Sequence, residues 1–174
     1  MNRKLAFGGG AIGTALVLAA LAGTRSFSPT VKPPLSRRAL VVKMAASQLG
    51  VQDPSLYWQD AYGSVPPTGY AWCGVFALWV LRRALGVTWK WVAGLGFIWV
   101  DDSGKRSSTP RLPTVRTPQP GDIAYFDQPY QHYAVVESVS GNTVTLIAGN
   151  TPDVNRYDEP LSKASAYYSI ASLV

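Results

Sequence analysis

Two side chains able to exchange a proton near neutral pH occur once each among the 174 residues, the thiol of Cys73 and the imidazole of His132. A thiol attacks a carbonyl carbon when an imidazole manages its proton, so the pair could carry out acyl chemistry if the fold joins them. Cys73 opens a very apolar run. From Val75 to Leu81 no side chain is polar, Arg82 and Arg83 follow, and Gly86 ends the stretch. This predicts a helix covered on nearly all sides, with cations at its negative end and a glycine stop. A cysteine at the opposite end meets unpaired N–H groups and the positive end of the dipole, which lower a thiol pKa. The same position also suits a small buried hydrophobe, as free cysteine often is. The helix by itself does not choose between these readings. A single cysteine cannot form an internal disulfide, and one cysteine with one histidine excludes a zinc site built from those two types. No cofactor is expected.

His132 lies in a segment patterned as a β-hairpin. Ser140-Gly141-Asn142 separates two apolar, β-branched runs, His132 to Val139 and Thr143 to Gly149. With a three-residue loop Val139 faces Thr143, and His132 then faces Asn150. Ala134, Val136 and Ser138 face Ala148, Leu146 and Val144 on the same side. A two-residue loop would set His132 opposite Thr151 and turn the apolar set to the other side, so burial favours the first register. An Asn carbonyl in reach of an imidazole N–H fixes ring orientation and tautomer and leaves the second ring nitrogen for a thiol. His132 alone would be an ordinary strand-end residue, and Asn150 alone a turn residue after Gly149. The order Cys, His, Asn, with the cysteine at a helix start, is what makes them a candidate site.

The remaining pattern places α before β. Ser36 can cap a helix from Arg37 to Leu49, closed by Gly50. Residues 51–68 read as a loop, Thr88 to Val100 as a short helix followed by irregular chain, and Asp101 to Gly121 as a loop punctuated by prolines. Strands are expected at Asp122–Phe126, in the hairpin, and at Ala166–Leu173. Helices followed by an antiparallel sheet make an α+β domain over residues 37–174. At 47% apolar and 15% charged residues the chain is a folded one, long enough for one domain.

Arg3-Lys4, the uncharged run Leu5 to Gly23 and Ala20-Leu21-Ala22 resemble a signal peptide with its cleavage site. The run is also close to the length that spans a bilayer, so residues 1–23 are expected to be a signal peptide or a membrane anchor. Residues 24–36 form a Pro/Ser/Thr linker. Gly8, Gly9, Gly10 and Gly13 give the segment a resemblance to the signal-arrest-release leaders of some phage endolysins. Export to the periplasm or cell envelope, or association with a virion, is the expected location. The net charge of +6 is spread without a dense basic run. Nucleic acid is therefore not an expected partner, whereas an anionic wall polymer or membrane surface is.

Trp72-Cys73-Gly74-Val75-Phe76, Pro120-Gly121-Asp122-Ile123, His132-Tyr133-Ala134-Val135-Val136, Gly141-Asn142 and Gly149-Asn150, in this order and spacing, resemble the CHAP family. These are the cysteine- and histidine-dependent amidohydrolases/peptidases, more distantly similar to NlpC-type wall peptidases. The likeness runs from about Arg37 to Val174. It implies a papain-like fold with Cys73 as nucleophile, His132 as general base and Asn150 as the residue that orients the base. It also implies peptidoglycan as substrate, cleaved at the sugar–peptide amide or within the peptides. Many members carry a Glu two residues before the Asn; this chain has Ala148. Asp122 is expected to be structural, and Glu137 to lie on the opposite strand face from His132. Trp58, Tyr70 and Trp72 are candidates for contact with substrate, Tyr70 also as an oxyanion donor, with core packing the competing role of each. The alternative to an enzyme is a non-catalytic envelope or virion component that binds wall through this fold.

Overall fold

Ser36 does cap the first helix: its hydroxyl accepts from the Ala39 N–H at 3.2 Å, and α1 runs Arg37–Ala46. The computed structural model describes residues 34–66, 69–92, 96–100, 106–107 and 112–174, all within the unit Pro34–Val174. The expected leader (residues 1–23) and nearly all of the linker lie outside the described residues. Among those described, no helix is long and apolar enough to cross a membrane. After Ala46 the chain leaves the helix by turns through 47–50, short of the Leu49 end that periodicity predicts. Gly50, at φ +84°, then donates its N–H to Val154 O.

Residues 55–62 are a helix and not the loop expected there. In α2 (Ser55–Tyr62) the Asp53 carboxylate accepts from the N–H and the hydroxyl of Ser55. Gly63 closes it in the left-handed region, donating to Gln59 O. Eight residues make a marginal helix in water. Burial of Tyr57, Trp58 and Ala61 against α3 supplies what propensity does not. The apolar run forms α3 (Cys73–Leu85), buried from Cys73 to Leu81 and ended by Gly86 at φ +74°. Arg82 and Arg83 both pair with Asp60 and so join α3 to α2.

The short helix expected after Thr88 is replaced by strands. β1 (Lys90–Val92) and β2 (Gly96–Val100) pair antiparallel with Trp91 opposite Phe97, and β3 (Arg106–Ser107) joins β2. Aromatic and β-branched residues divided by glycines favour a hairpin over a helix.

The main sheet is antiparallel, in the order β4 (Thr114–Val115), β9 (Ala166–Tyr168), β5 (Ile123–Phe126), β6 (His132–Ser140), β7 (Thr143–Ala148), β8 (Asn155–Pro160). With the helices it makes an α+β domain. Two of its members were not expected from sequence, β4 within the proline loop and β8 beyond Asn150. The last strand stops at Tyr168, and a 3-10 turn covers Ala171–Leu173. One face carries Ile123, Val135 and Ile147 into the core shared with the helices. The other gathers Ala134, Val136, Val144, Leu146 and Ala148 under Phe126 and Tyr167.

The hairpin turn has two residues, not three. Ser140 faces Thr143 and Val139 faces Val144, and then a bulge at Glu137 shifts the ladder so that Val136 faces Leu146 and Val135 faces Ile147. The register expected around His132 is thus reached by a different device. The expected apolar face exists, but it turns away from the helices.

Behind β5, Asp122 is almost fully buried at 1% exposure. Its carboxylate accepts from Arg38 at 2.7 Å, Gln119 N–H at 2.8 Å and Ile170 N–H at 3.0 Å. It ties α1, the turn before β5 and the C-terminal segment together. Glu137 pairs with Arg156 on the surface.

Candidate active site

Cys73 is the first residue of α3, 4% exposed, and α3 lies against the start of β6. Three backbone N–H groups face its thiol, those of Tyr133, Gly74 and Cys73 itself. They favour a thiolate, yet burial outweighs them and pushes the Cys73 thiol up from its ordinary value. The lowered thiol pKa expected from the helix end is therefore not what the resting site holds.

His132 opens β6, with 9% of its surface exposed. Burial pushes its imidazole down from the ordinary value of 6.5. Burial thus favours the neutral form of both groups. The ring lies between Phe126, at 6.1 Å between centroids, and Tyr157, at 6.4 Å. Its Nε2 is 3.2 Å from the Tyr157 hydroxyl.

Successive strand residues point to opposite faces, so the segment Gln131–Tyr133 has a hollow on each side. One, of about 180 Å³, is lined by Cys73, Trp58, Tyr70, Trp91, Gln131 and Tyr133. The other, of about 160 Å³, is lined by His132 with Phe126, Tyr130, Thr151, Tyr157 and Glu159. Tyr157 is also in electrostatic reach of Cys73. No thiol–imidazole hydrogen bond is formed among the described residues. The thiol and the imidazole line separate hollows here, so proton exchange between them requires the two to approach around the start of β6 as substrate binds.

The other sequence candidates separate. Trp58 and Tyr70 meet edge to face at 6.5 Å on the wall of the Cys73 hollow, and Tyr70 is 57% exposed. Trp72 is core. Its ring stacks on Tyr57 at 5.7 Å and lies against Gly149, where a Cβ would come within 2.1 Å of it. Asn150 stands just beyond β7, exposed, with φ +73°. The imidazole's hydrogen-bond partner is Tyr157 and not Asn150. Sequence reasoning missed Tyr157 and Phe126. The position of Ala148, where the family resemblance places an acid, was the only hint that another group must face His132.

Residues 65–150 match the family model of the CHAP domain. A solved structure described as "The crystal structure of Ly7917" is similar with a TM-score of 0.47 and 17% identity, over 76% of this chain and 62% of that one. The chain thus spans less than two thirds of that structure's length. No curated protein matches.

Proposed function

Because this chain carries a CHAP domain, the mark of cysteine- and histidine-dependent amidohydrolases and peptidases, we propose that it hydrolyses amide bonds of bacterial peptidoglycan on a papain-like scaffold. The observation that carries this reading is the meeting of the only cysteine, at a helix start, with the strand that the only histidine opens. Cys73 is the nucleophile and His132 the general base.

In this reading the thiol and the imidazole both start neutral, the form that burial favours for each. As substrate enters the hollow beside Cys73, His132 takes the thiol proton while Sγ bonds to the carbonyl carbon. The Cys73 N–H, at the positive end of α3, stabilises the oxyanion. The C–N bond then breaks as the imidazolium returns its proton to the leaving amine, giving a thioester. Water attacks the thioester with His132 taking its proton. Sγ leaves, recovers a proton, and the acid product departs. The substrate amide is either the sugar–peptide bond or a peptide bond of the stem. Export by residues 1–23 would bring the enzyme to its polymer.

The lack of a thiol–imidazole hydrogen bond among the described residues, together with Ala148 where the family resemblance places an acid, favours one other reading, a wall-binding component that does not cleave. A purified peptidoglycan suspension separates the two. Wild type should clear it and Cys73→Ala should not, with both proteins folded. Equal clearing by the two, or by neither, would refute the enzymatic reading. Mass spectrometry of the released fragments identifies the bond cut.

A further inference from the structure

We propose that Tyr157 is the positioning residue of His132, standing where the family resemblance leads one to expect an acid or an amide; this rests on the reading of His132 as general base. The Tyr157 hydroxyl is 3.2 Å from Nε2 of the imidazole, and it is the ring's hydrogen-bond partner among the described residues. Its strand places it there. In β8 Tyr157 pairs with Leu146, which pairs in turn with Val136, so the phenol emerges on the same sheet face as His132. Between the two strands, on that face of β7, is Ala148 with no exposed surface. A methyl group leaves the path from β8 to β6 open, and a glutamate at 148 would occupy it. Loss of the acid and reach of the phenol are two sides of one packing arrangement. Phe126, from the neighbouring β5, lies 6.1 Å from the ring between centroids.

A phenol can both donate and accept. Burial pushes the Tyr157 hydroxyl well above its ordinary range, so it remains protonated at any working pH. By accepting the Nε2–H it holds the tautomer whose Nδ1 lone pair is free. Nδ1 then receives the Cys73 proton, and the Nε2–H stays on Tyr157 throughout the cycle. Asn150, exposed and outside the strand, does not hold the ring in this way. The other titratable groups lining the hollow about the imidazole are Tyr130 from the β5–β6 loop, Glu159 from β8 and Lys163 from the 3-10 turn after it, while Cys73 from α3 is in electrostatic reach of Tyr157.

The test uses the fact that the chain has one histidine, so its imidazole titrates as a single NMR signal. Tyr157→Phe removes an acceptor that favours the imidazolium. The His132 midpoint should fall, and kcat/KM on peptidoglycan should drop roughly tenfold, the scale of one hydrogen bond, with the Tm unchanged. Asn150→Ala should leave the midpoint in place. An unchanged midpoint in Tyr157→Phe, or the same fall in Asn150→Ala, overturns the proposal. If the wild type proves inactive on every wall preparation, the functional reading fails while the titration still decides whether Tyr157 holds the ring.

Discussion

Adding one methyl group at position 149 tests how tightly the helix that begins at Cys73 is seated. Gly149 is buried, and its backbone lies outside the left-handed region, so alanine is not strained there; reducing unfolded-chain entropy would by itself add about 0.4–1 kcal/mol of stability. Packing opposes this. The new Cβ would lie 2.1 Å from Cζ3, 2.4 Å from Cε3 and 2.9 Å from Cη2 of Trp72, a rigid ring with 6% exposure stacked on the fully buried Tyr57. The indole would have to retreat by about an ångström within a buried stack on Tyr57. Overpacking of this kind costs about 1–3 kcal/mol, which exceeds the entropic gain. Gly149→Ala should therefore lose about 1–2 kcal/mol, or roughly 2–8 °C in Tm for a domain of this size. Activity should suffer more. Trp72 is the N-cap of α3 and is bonded directly to Cys73. A displacement near 1 Å at a reacting group costs about 100-fold, and this should be seen in kcat/KM well below the melting temperature. The double variant Gly149→Ala/Trp72→Leu should recover part of the lost stability, a non-additivity expected of touching residues. A single variant with wild-type Tm and wild-type kcat/KM would refute the account of how Cys73 is placed.

Two further outcomes follow from buried polar groups. Asp122→Ala strands Arg38 and two backbone N–H groups, and should cost about 3–5 kcal/mol in urea unfolding, whereas loss of the exposed Glu137–Arg156 pair should cost under about 1 kcal/mol. For His132 the folded-state pKa lies below the ordinary 6.5, so the unfolded chain takes up the proton first. Stability from this residue is complete above about pH 6.5 and declines as pH falls toward the folded value. Between pH 7 and pH 5 the urea midpoint of the wild type should fall more steeply than that of His132→Gln; parallel curves would contradict the burial of a neutral ring.

The parts of the fold legible in sequence are those whose stability is local or whose pattern admits one register. The Ser36 cap, the apolar run of α3 with its Gly86 stop, and the existence of the two main hairpin strands are of this kind, whereas the turn length and the bulge that restores their register were not legible. Segments held by distant partners were not legible either. The helix at Ser55–Tyr62 reads as a loop because eight residues with an Asp-Pro start carry little propensity, and only the packing of Tyr57 and Trp58 on α3 secures it. Strand Asn155–Pro160 is half charged, as an edge strand is, and so lacks an apolar signature. The site divides the same way. Sequence order and the helix dipole lead to Cys73 and His132, but the balance that leaves the thiol neutral depends on desolvation, which no local pattern reports. Tyr157 reaches His132 across a strand, a contact invisible until β8 is placed.

The bulge at Glu137 shifts the register between the two ends of the long hairpin. On the inner side, Val135, Val136, Leu146 and Ile147 are fully buried and hold the alignment of His132. On the outer side, Ser138, Ser140, Gly141, Asn142 and Thr143 are exposed. Between the tip and the bulge only Val144 is fully buried, so a change at the tip meets one buried residue before the bulge. A short exposed insertion between Gly141 and Asn142 would thus lie far along the hairpin from the thiol and imidazole, at the cost of the bond from Leu161 N–H to Asn142 O.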